Sequence, residues 1–302
     1  MIKIHKYLLL VFFAMLNVVA EEAFIVKDGQ PNAQIVIAAE NRPRMATLAA
    51  LELQRGIEKI AGARLPIVTS PDASIPVKIY VGESPETKKL GVKSDDLKHG
   101  AYRMLTGVDP SAKTNWIVLL GDDIDFDSSK IPIPKKLDDP DALARWNKDV
   151  KDSGKTEYGW DYPMWFRLNF KLIWAPKDFD KIMDEEYGEG ASSLWISGGN
   201  NVKGFWIHDE NGSLNAVCAF LWKLGARWYT PGAIGEILPR LPSVSFPCLN
   251  ETVIPDYAMR AWAYYGYGSF SFDDVIWARR IGMNNGTELL GLHRGPHGLV
   301  SV

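Results

Sequence analysis

From Met45 to Ala61 the apolar residues keep helical spacing, while the short apolar runs around this segment do not. Ala46, Ala49, Ala50, Leu53, Ile57 and Ile60 recur three or four residues apart, which puts them on one face of a helix. Gly62 stands where a left-handed C-terminal cap belongs, and Pro43 stands near the start, where its fixed φ is tolerated. Ala33–Ala39 before this helix is a short apolar run of strand length. Leu65–Val68 after it is another, ending in the turn Ser70-Pro71-Asp72. In Pro76–Val81, Val77, Ile79 and Val81 alternate with Lys78 and Tyr80, which predicts a half-buried strand. Ala101–Thr106 and Trp116–Leu120 are two further strands, the second running into Gly121-Asp122-Asp123.

The pattern then changes. From Ile124 to about Gly204 the chain is rich in Pro, Asp, Lys and aromatic residues and has no clean strand period. Weak helical patterns fall at Asp139–Lys151 and Lys177–Tyr187. The stretch reads as a long insertion, about 124–204, on the surface of the domain. Regular structure resumes with a strand end at Phe205–His208 and a turn at Asp209–Gly212. A helix follows, capped by Ser213 and running to Leu224, with Leu214, Val217, Cys218 and Leu221 as its apolar stripe. Gly225 closes it, and Arg227-Trp228-Tyr229 is a short strand. The Pro/Gly-rich stretch Thr230–Pro247 reads as a junction. Beyond it, Met259–Tyr265 is an expected strand and Phe272–Ile281 an expected helix, an order that fits the first step of a (β/α) barrel.

The N-terminus has the three parts of an export signal. Lys3, His5 and Lys6 are basic, Tyr7–Leu16 is apolar, and Val18 and Ala20 suit the −3 and −1 positions of a cleavage site. The run Tyr7–Ala20 is shorter than the about 20 residues a spanning helix needs. The expectation is a signal peptide at 1–20, secretion or periplasmic localisation, and no membrane attachment after cleavage. No Cys follows the cleavage site, which speaks against a lipoprotein.

Composition narrows the partner. The chain is 46% hydrophobic and 24% charged, which argues against disorder, and its net charge is −3 without a basic block. A nucleic-acid partner would need clustered Lys and Arg, so none is expected. Two cysteines, Cys218 and Cys248, exclude a disulfide scaffold, and Cys218 on an apolar helix face behaves as a small hydrophobe. There is no Gly-rich phosphate loop, no Cys–His pair and no Ser elbow, and no cofactor or metal is expected. His293 and His297 are four apart, but Gly295 and Pro296 forbid the helix that would make them a zinc pair. Eleven Trp serve core packing first and, for some, platforms for sugar rings. Three Asn-x-Ser/Thr sequons occur, at Asn211, Asn250 and Asn285.

Three stretches carry a family resemblance: MATLAALELQRGIEKIAGARLPIV ending at Val68, NGSLNAVCAFLWKLGARWYTPGAIGEILP over Asn211–Pro239, and IPDYAMRAWAYYG over Ile254–Gly266. Together they resemble the N-terminal α/β domain of α-glucuronidases and the equivalent second domain of β-hexosaminidases, as carried by large secreted bacterial proteins ahead of a barrel. Gly225, Arg227, Trp228, Tyr229, Pro231, Gly232, Gly235, Glu236 and Pro239 match the family's junction run. The resemblance implies an α/β (α+β) fold. Residues 21–247 would form an accessory α/β domain, a mixed β-sheet with helices packed on it, and residues 248–302 the incomplete start of a TIM-type barrel. It implies a carbohydrate partner, an oligosaccharide or polysaccharide, and glycoside-hydrolase-like chemistry whose carboxylates lie on later barrel strands. It also implies that Arg260, matching a Pro-x-x-x-x-Arg pattern with Pro255, hydrogen-bonds sugar hydroxyls; the equal alternative for Arg260 is a junction salt bridge. Trp262, Tyr264 and Tyr265 follow on the same strand as walls of a sugar subsite or as barrel packing, and His297, followed by Gly298, is placed at the mouth of the next barrel strand.

Glycoside hydrolysis needs two carboxyl groups across the scissile bond. The candidates are Asp122/Asp123, Asp209/Glu210, Glu236 and Asp273/Asp274. Pairs of adjacent acids are expected mostly as solvated loops or helix starts, where they complement the helix dipole. Arg227, beside two aromatics, is suited to stacking or to a buried ion pair, for which Glu236 is the candidate partner. The leading expectation is therefore an accessory domain of a secreted carbohydrate-active protein without catalytic residues of its own. The rival expectation is a non-catalytic carbohydrate-binding or surface interaction module that uses the aromatic-rich insertion.

Overall fold

The computed structural model describes residues 23–109, 114–125, 173–174, 176–195, 203–206, 209–257, 260 and 271–283. The expected export signal at 1–20, the helical pattern at Asp139–Lys151, most of the expected Met259–Tyr265 strand, Trp262, Tyr264, Tyr265, His293 and His297 lie outside them.

The chain opens with β1 (Phe24–Lys27), β2 (Gln30–Pro31) and β3 (Ala33–Val36), then α1 (Arg44–Ala61). Gly62 ends α1 in the left-handed conformation (φ 72°), and its amide closes on Glu58 O at 2.8 Å. The side chain of any other residue would be strained there. Then come β4 (Ile67–Val68), β5 (Val77–Val81), the short α2 (Pro85–Lys89), β6 (Tyr102–Asp109) and β7 (Thr114–Gly121). After the 124–204 stretch begins, β8 (Ile173–Trp174), α3 (Phe179–Tyr187) and β9 (Phe205–Trp206) are described. The remainder is α4 (Gly212–Lys223), β10 (Arg227–Trp228), β11 (Glu236–Ile237), β12 (Val244–Ser245), β13 (Asn250–Val253) and α5 (Phe272–Arg280).

The main sheet is mixed, with six strands in the order β13-β6-β7-β5-β3-β4. Strands β4, β3, β5 and β7 run parallel; at one side β6 pairs antiparallel with β7, and β13 pairs antiparallel with β6. The fold is thus mixed α/β, as expected. Alternation along the strands separates two faces. Ile35, Ile79, Ile117 and Leu119 face a large core with α1 and α4, whereas Val118 and Leu120 face a smaller one with Val92 and Leu97. Both faces of β5 are therefore covered. That is why Lys78 is buried rather than solvated: its ammonium is held by Ile75 O, and burial pushes its pKa down. A central parallel strand buries both of its faces, whatever its alternation suggests.

Two expectations are corrected in the second half. The C-terminal part of the 124–204 stretch is not a surface addition, because α3 and the turn after it bury Phe179, Met183, Tyr187, Ala191 and Trp195 in the large core. Ser213 does not cap α4. It lies inside the first turn, where its hydroxyl accepts the Gly121 amide at 3.1 Å, and Asn211 is the residue before the helix.

That contact depends on two glycines. The end of β7 and the start of α4 touch backbone to backbone. A Cβ on Gly121 would fall 2.4 Å from Gly212 Cα and 2.5 Å from Ala101 O. Neither atom belongs to a side chain that could move aside. We predict that Gly121→Ala lowers the unfolding free energy by about 3 kcal/mol or more in urea titrations. Gly91→Ala, with open space around it but φ 73°, is expected to cost only about 1–2 kcal/mol. Equal losses would show that the α4–β7 approach is looser than described.

Candidate functional site

A groove of about 580 Å³ opens between α4, β6 and the segment around α5. Ligand sites commonly have volumes of this order. Its walls include Tyr102, Trp222, Trp228, Glu251, Arg260 and Arg280. The strand β6 supplies Tyr102 because its pairing with β13 leaves that end of the sheet beside α4. Trp222 sits on the last turn of α4, half exposed, with the Arg227 guanidinium 4.0 Å from its ring centroid. Glu251 on β13 pairs with Lys223 at 2.9 Å.

Arg260 lines this groove, but its guanidinium is occupied by the protein. Its Nε donates to Gly282 O at 2.8 Å, Nη1 to Tyr257 O at 2.7 Å and Nη2 to His99 O at 3.0 Å. The His99–Gly100 turn that offers this carbonyl is left-handed at both residues, φ 57° and 77°. A Cβ on Gly100 would push on the side-chain ends Asn215 Nδ2 at 2.6 Å and Arg260 Nη2 at 2.8 Å, and the positive φ would strain any other residue there. Asn215 Nδ2 donates to Gly100 O at 2.8 Å and fixes the turn from α4.

The candidate acids have separate fates. Glu236 does not pair with Arg227. In the β10–β11 ribbon Glu236 stands opposite Trp228, so Arg227, one residue earlier, projects from the other face. Arg227 stacks on Trp222 and donates to the carbonyls of Trp222 and Ala226, while Glu236 accepts two bonds from Arg55 at 2.7 and 2.9 Å. Trp228 Nε1 adds a third bond at 3.1 Å. Burial would raise the carboxyl, but the hydrogen bonds and charge of Arg55 outweigh it and bring the pKa down to about 2. Such a group stays ionised and donates no proton near neutrality. Asp273 and Asp274 open α5, where Asp274 and Ser271 cap each other, in line with the helix-start expectation.

Asp209 and Glu210 depart from that expectation, since both are almost fully buried. Asp209 accepts from Arg44 Nη2 at 2.6 Å and Nε at 3.1 Å. Glu210 lies in the field of Arg260 and Arg279. These arginines are remote in sequence, so no local pattern announces the pairs. Asp123 accepts the Ser213 amide at 2.9 Å at the start of α4. Burial raises its pKa to about 7, Ser213 offsets part of this, and Asp122 and Asp125 add to it. A carboxyl in this range exchanges its proton near neutrality, but Asp123 does not line the groove.

Cys218 lines the groove and is buried, and burial pushes its thiol pKa up; Cys248 is exposed and the two are not bonded. Among the described residues no cluster of His, Cys, Asp and Glu is placed to hold a metal ion, and no helix is long and apolar enough to cross a membrane. Sequence reasoning named Arg260 but missed Asn215, Tyr102, Trp222 and Glu251 as groove residues. No protein-family model matches the chain, and no curated protein matches it.

Asp123 generates a pH prediction. Its folded pKa lies above the ordinary 3.8, so the folded state binds the proton more tightly than the unfolded chain. The stability this gives is complete below pH 4 and is lost as pH rises through about 7. Asp123→Asn removes the titration and keeps an acceptor for Ser213. The excess of its urea midpoint over wild type should therefore widen between pH 5 and pH 8. A constant difference across that range would show that Asp123 does not titrate there.

Proposed function

We propose that the chain is an accessory α/β domain and adjoining segment of a carbohydrate-active protein, and that the groove beside α4 takes a sugar. The observation that carries this reading is the aromatic wall: Tyr102, Trp222 and Trp228 border one open groove of ligand size. Sugar rings stack their C–H faces on such rings, and a groove with few open polar groups favours that contact over a dense hydrogen-bond lattice. Arg260, Asn215 and Glu251 already have protein partners, so they shape the groove more than they reach for ligand.

The resemblance to the α-glucuronidase and β-hexosaminidase accessory domains supports the same substrate class, and the export signal at 1–20 supports an extracellular glycan. Among the described residues, Glu251 is the one carboxylate lining the groove, and hydrolysis by paired acids needs two. This favours sugar binding over bond cleavage by the described residues themselves.

The test is a titration of the full chain with neutral and acidic oligosaccharides, followed by intrinsic tryptophan fluorescence. Binding should weaken about tenfold in Trp222→Ala, the size of one lost aromatic stacking contact. The urea midpoint should change little, because the side chain is 48% exposed. Absence of saturable binding to every member of the panel, or binding unaffected by Trp222→Ala, would overturn the reading.

A further inference from the structure

The segment after β13, described at 254–257, 260 and 271–283, is attached to the α/β domain by charges that a solvent-facing contact would not use. Neighbouring residues of α5 point about 100° apart, and Arg279 and Arg280 enter two different acceptor sets. Arg280 Nε and Nη2 each donate to Glu52 at 2.8 Å, and the Tyr187 hydroxyl donates to the same carboxylate at 2.5 Å. Glu236 lies 3.7 Å from Arg280 Nη1, and Glu186 3.5 Å from Nη2. Arg55 bridges the same acids, 2.6 Å from Glu186 and 2.7 Å from Glu236, and Lys59 reaches Glu236 at 3.1 Å. Three carboxylates, Glu52, Glu186 and Glu236, thus meet three cations, Arg55, Lys59 and Arg280. Arg279 Nη1 donates to Asp209 O at 3.1 Å, and Arg260 reaches His99 O. The cations Arg260, Arg279 and Arg280 come from the segment, and their acceptors across the junction come from residues before it.

Apolar contacts accompany these charges. Ile276 is fully buried in the large core, with Phe272, Val275 and Trp277 packed on it, and Trp277 Nε1 donates to Trp228 O at 3.3 Å. The helix α5 has nine residues, too few to be stable alone in water. Its conformation therefore depends on docking.

We infer that Glu52 and Arg280 form a conformational lock that straps α5 to α1 and thereby holds the outer wall of the groove, from Arg280 to Gly282 with Arg260, at a fixed distance from α4. The lock is a fixed strap and not a hinge, and it serves whatever ligand the groove takes, so it stands apart from the sugar reading. Without the Glu52 charge Arg280 loses its two short bonds and keeps only the longer contacts to Glu186 and Glu236, so a buried charge is left poorly compensated, whereas replacing both Glu52 and Arg280 by apolar groups of similar volume removes that charge. This asymmetry is the signature of the lock.

The test is amide hydrogen exchange on the full chain. The reporters are Gly282 and Met283, whose amides bond to Arg279 O and Ala278 O, with Ile79 on β5 and Val118 on β7 reporting global opening. In Glu52→Gln, exchange at Gly282 and Met283 should accelerate on the order of a hundredfold, well beyond any change at Ile79 and Val118. The double variant Glu52→Leu/Arg280→Met should return to within about tenfold of wild type. Lys59→Met, which removes only the exposed partner of Glu236, should leave all four amides near wild type. Unchanged protection in Glu52→Gln, acceleration shared equally with β5 and β7, or a double variant as open as the single overturns the lock. If Glu52→Gln does not fold, a folded and protected double variant supports it and an unfolded one overturns it.

Discussion

A carboxylate at the middle of a buried helix organises this molecule. Glu52 is 1% exposed, and an ion in such a place costs several kcal/mol of lost hydration unless charge and hydrogen bonds replace the water. Arg280 and Tyr187 provide both. Attraction to Arg280 outweighs the burial that would otherwise raise the carboxyl, so Glu52 remains ionised and its pKa lies below the ordinary carboxylate range. Its partners come from α3 and α5, more than a hundred residues along the chain. The buried charge of Glu52 is therefore compensated only when α3 and α5 are both docked on α1. Its nearly continuous burial, polar residues included, follows from this position between sheet, α3, α4 and α5.

The groove inherits its shape from the same arrangement. One wall is α4, set against β7 through the contact of Gly121 with Gly212 and through the Gly121 amide on Ser213. The opposite wall is the segment held by Arg280 and Arg260. Arg260 was expected to reach a sugar. In the structure its guanidinium is filled by three backbone carbonyls, which gives it a positioning role at the edge of the groove. The aromatic side chains, and above all Trp222, present the surface on which a ligand would rest.

What was legible in the sequence is what local periodicity encodes. The α1 stripe and its Gly62 cap, the strands β3, β5, β6 and β7, the helix α4 and the acid-rich start of α5 are all set by spacing within a dozen residues. What was not legible depends on contacts between distant residues. The polar positions Glu52 and Arg55 interrupt an apolar helix, and nothing near them in sequence names Arg280 or Glu236 as partners. Lys78 reads as solvent-facing by alternation, and only the cover on the second face of the sheet buries it. The pairing of Glu236 with Arg55 instead of Arg227 follows from the β10–β11 register, which is visible only once the ribbon is built. Tyr102 and Trp222 belong to one groove because the start of a β-strand and the end of a helix meet there.

The proposed sugar site is the groove between α4 and the α5 segment. Indole N–H resonances of the full, tryptophan-labelled chain test it most directly during addition of an oligosaccharide. The account predicts that the Trp222 resonance shifts saturably, while that of Trp195, buried in the large core, stays in place. Saturable shifts confined to tryptophans that do not line the groove, or no shifts with any oligosaccharide, would contradict it.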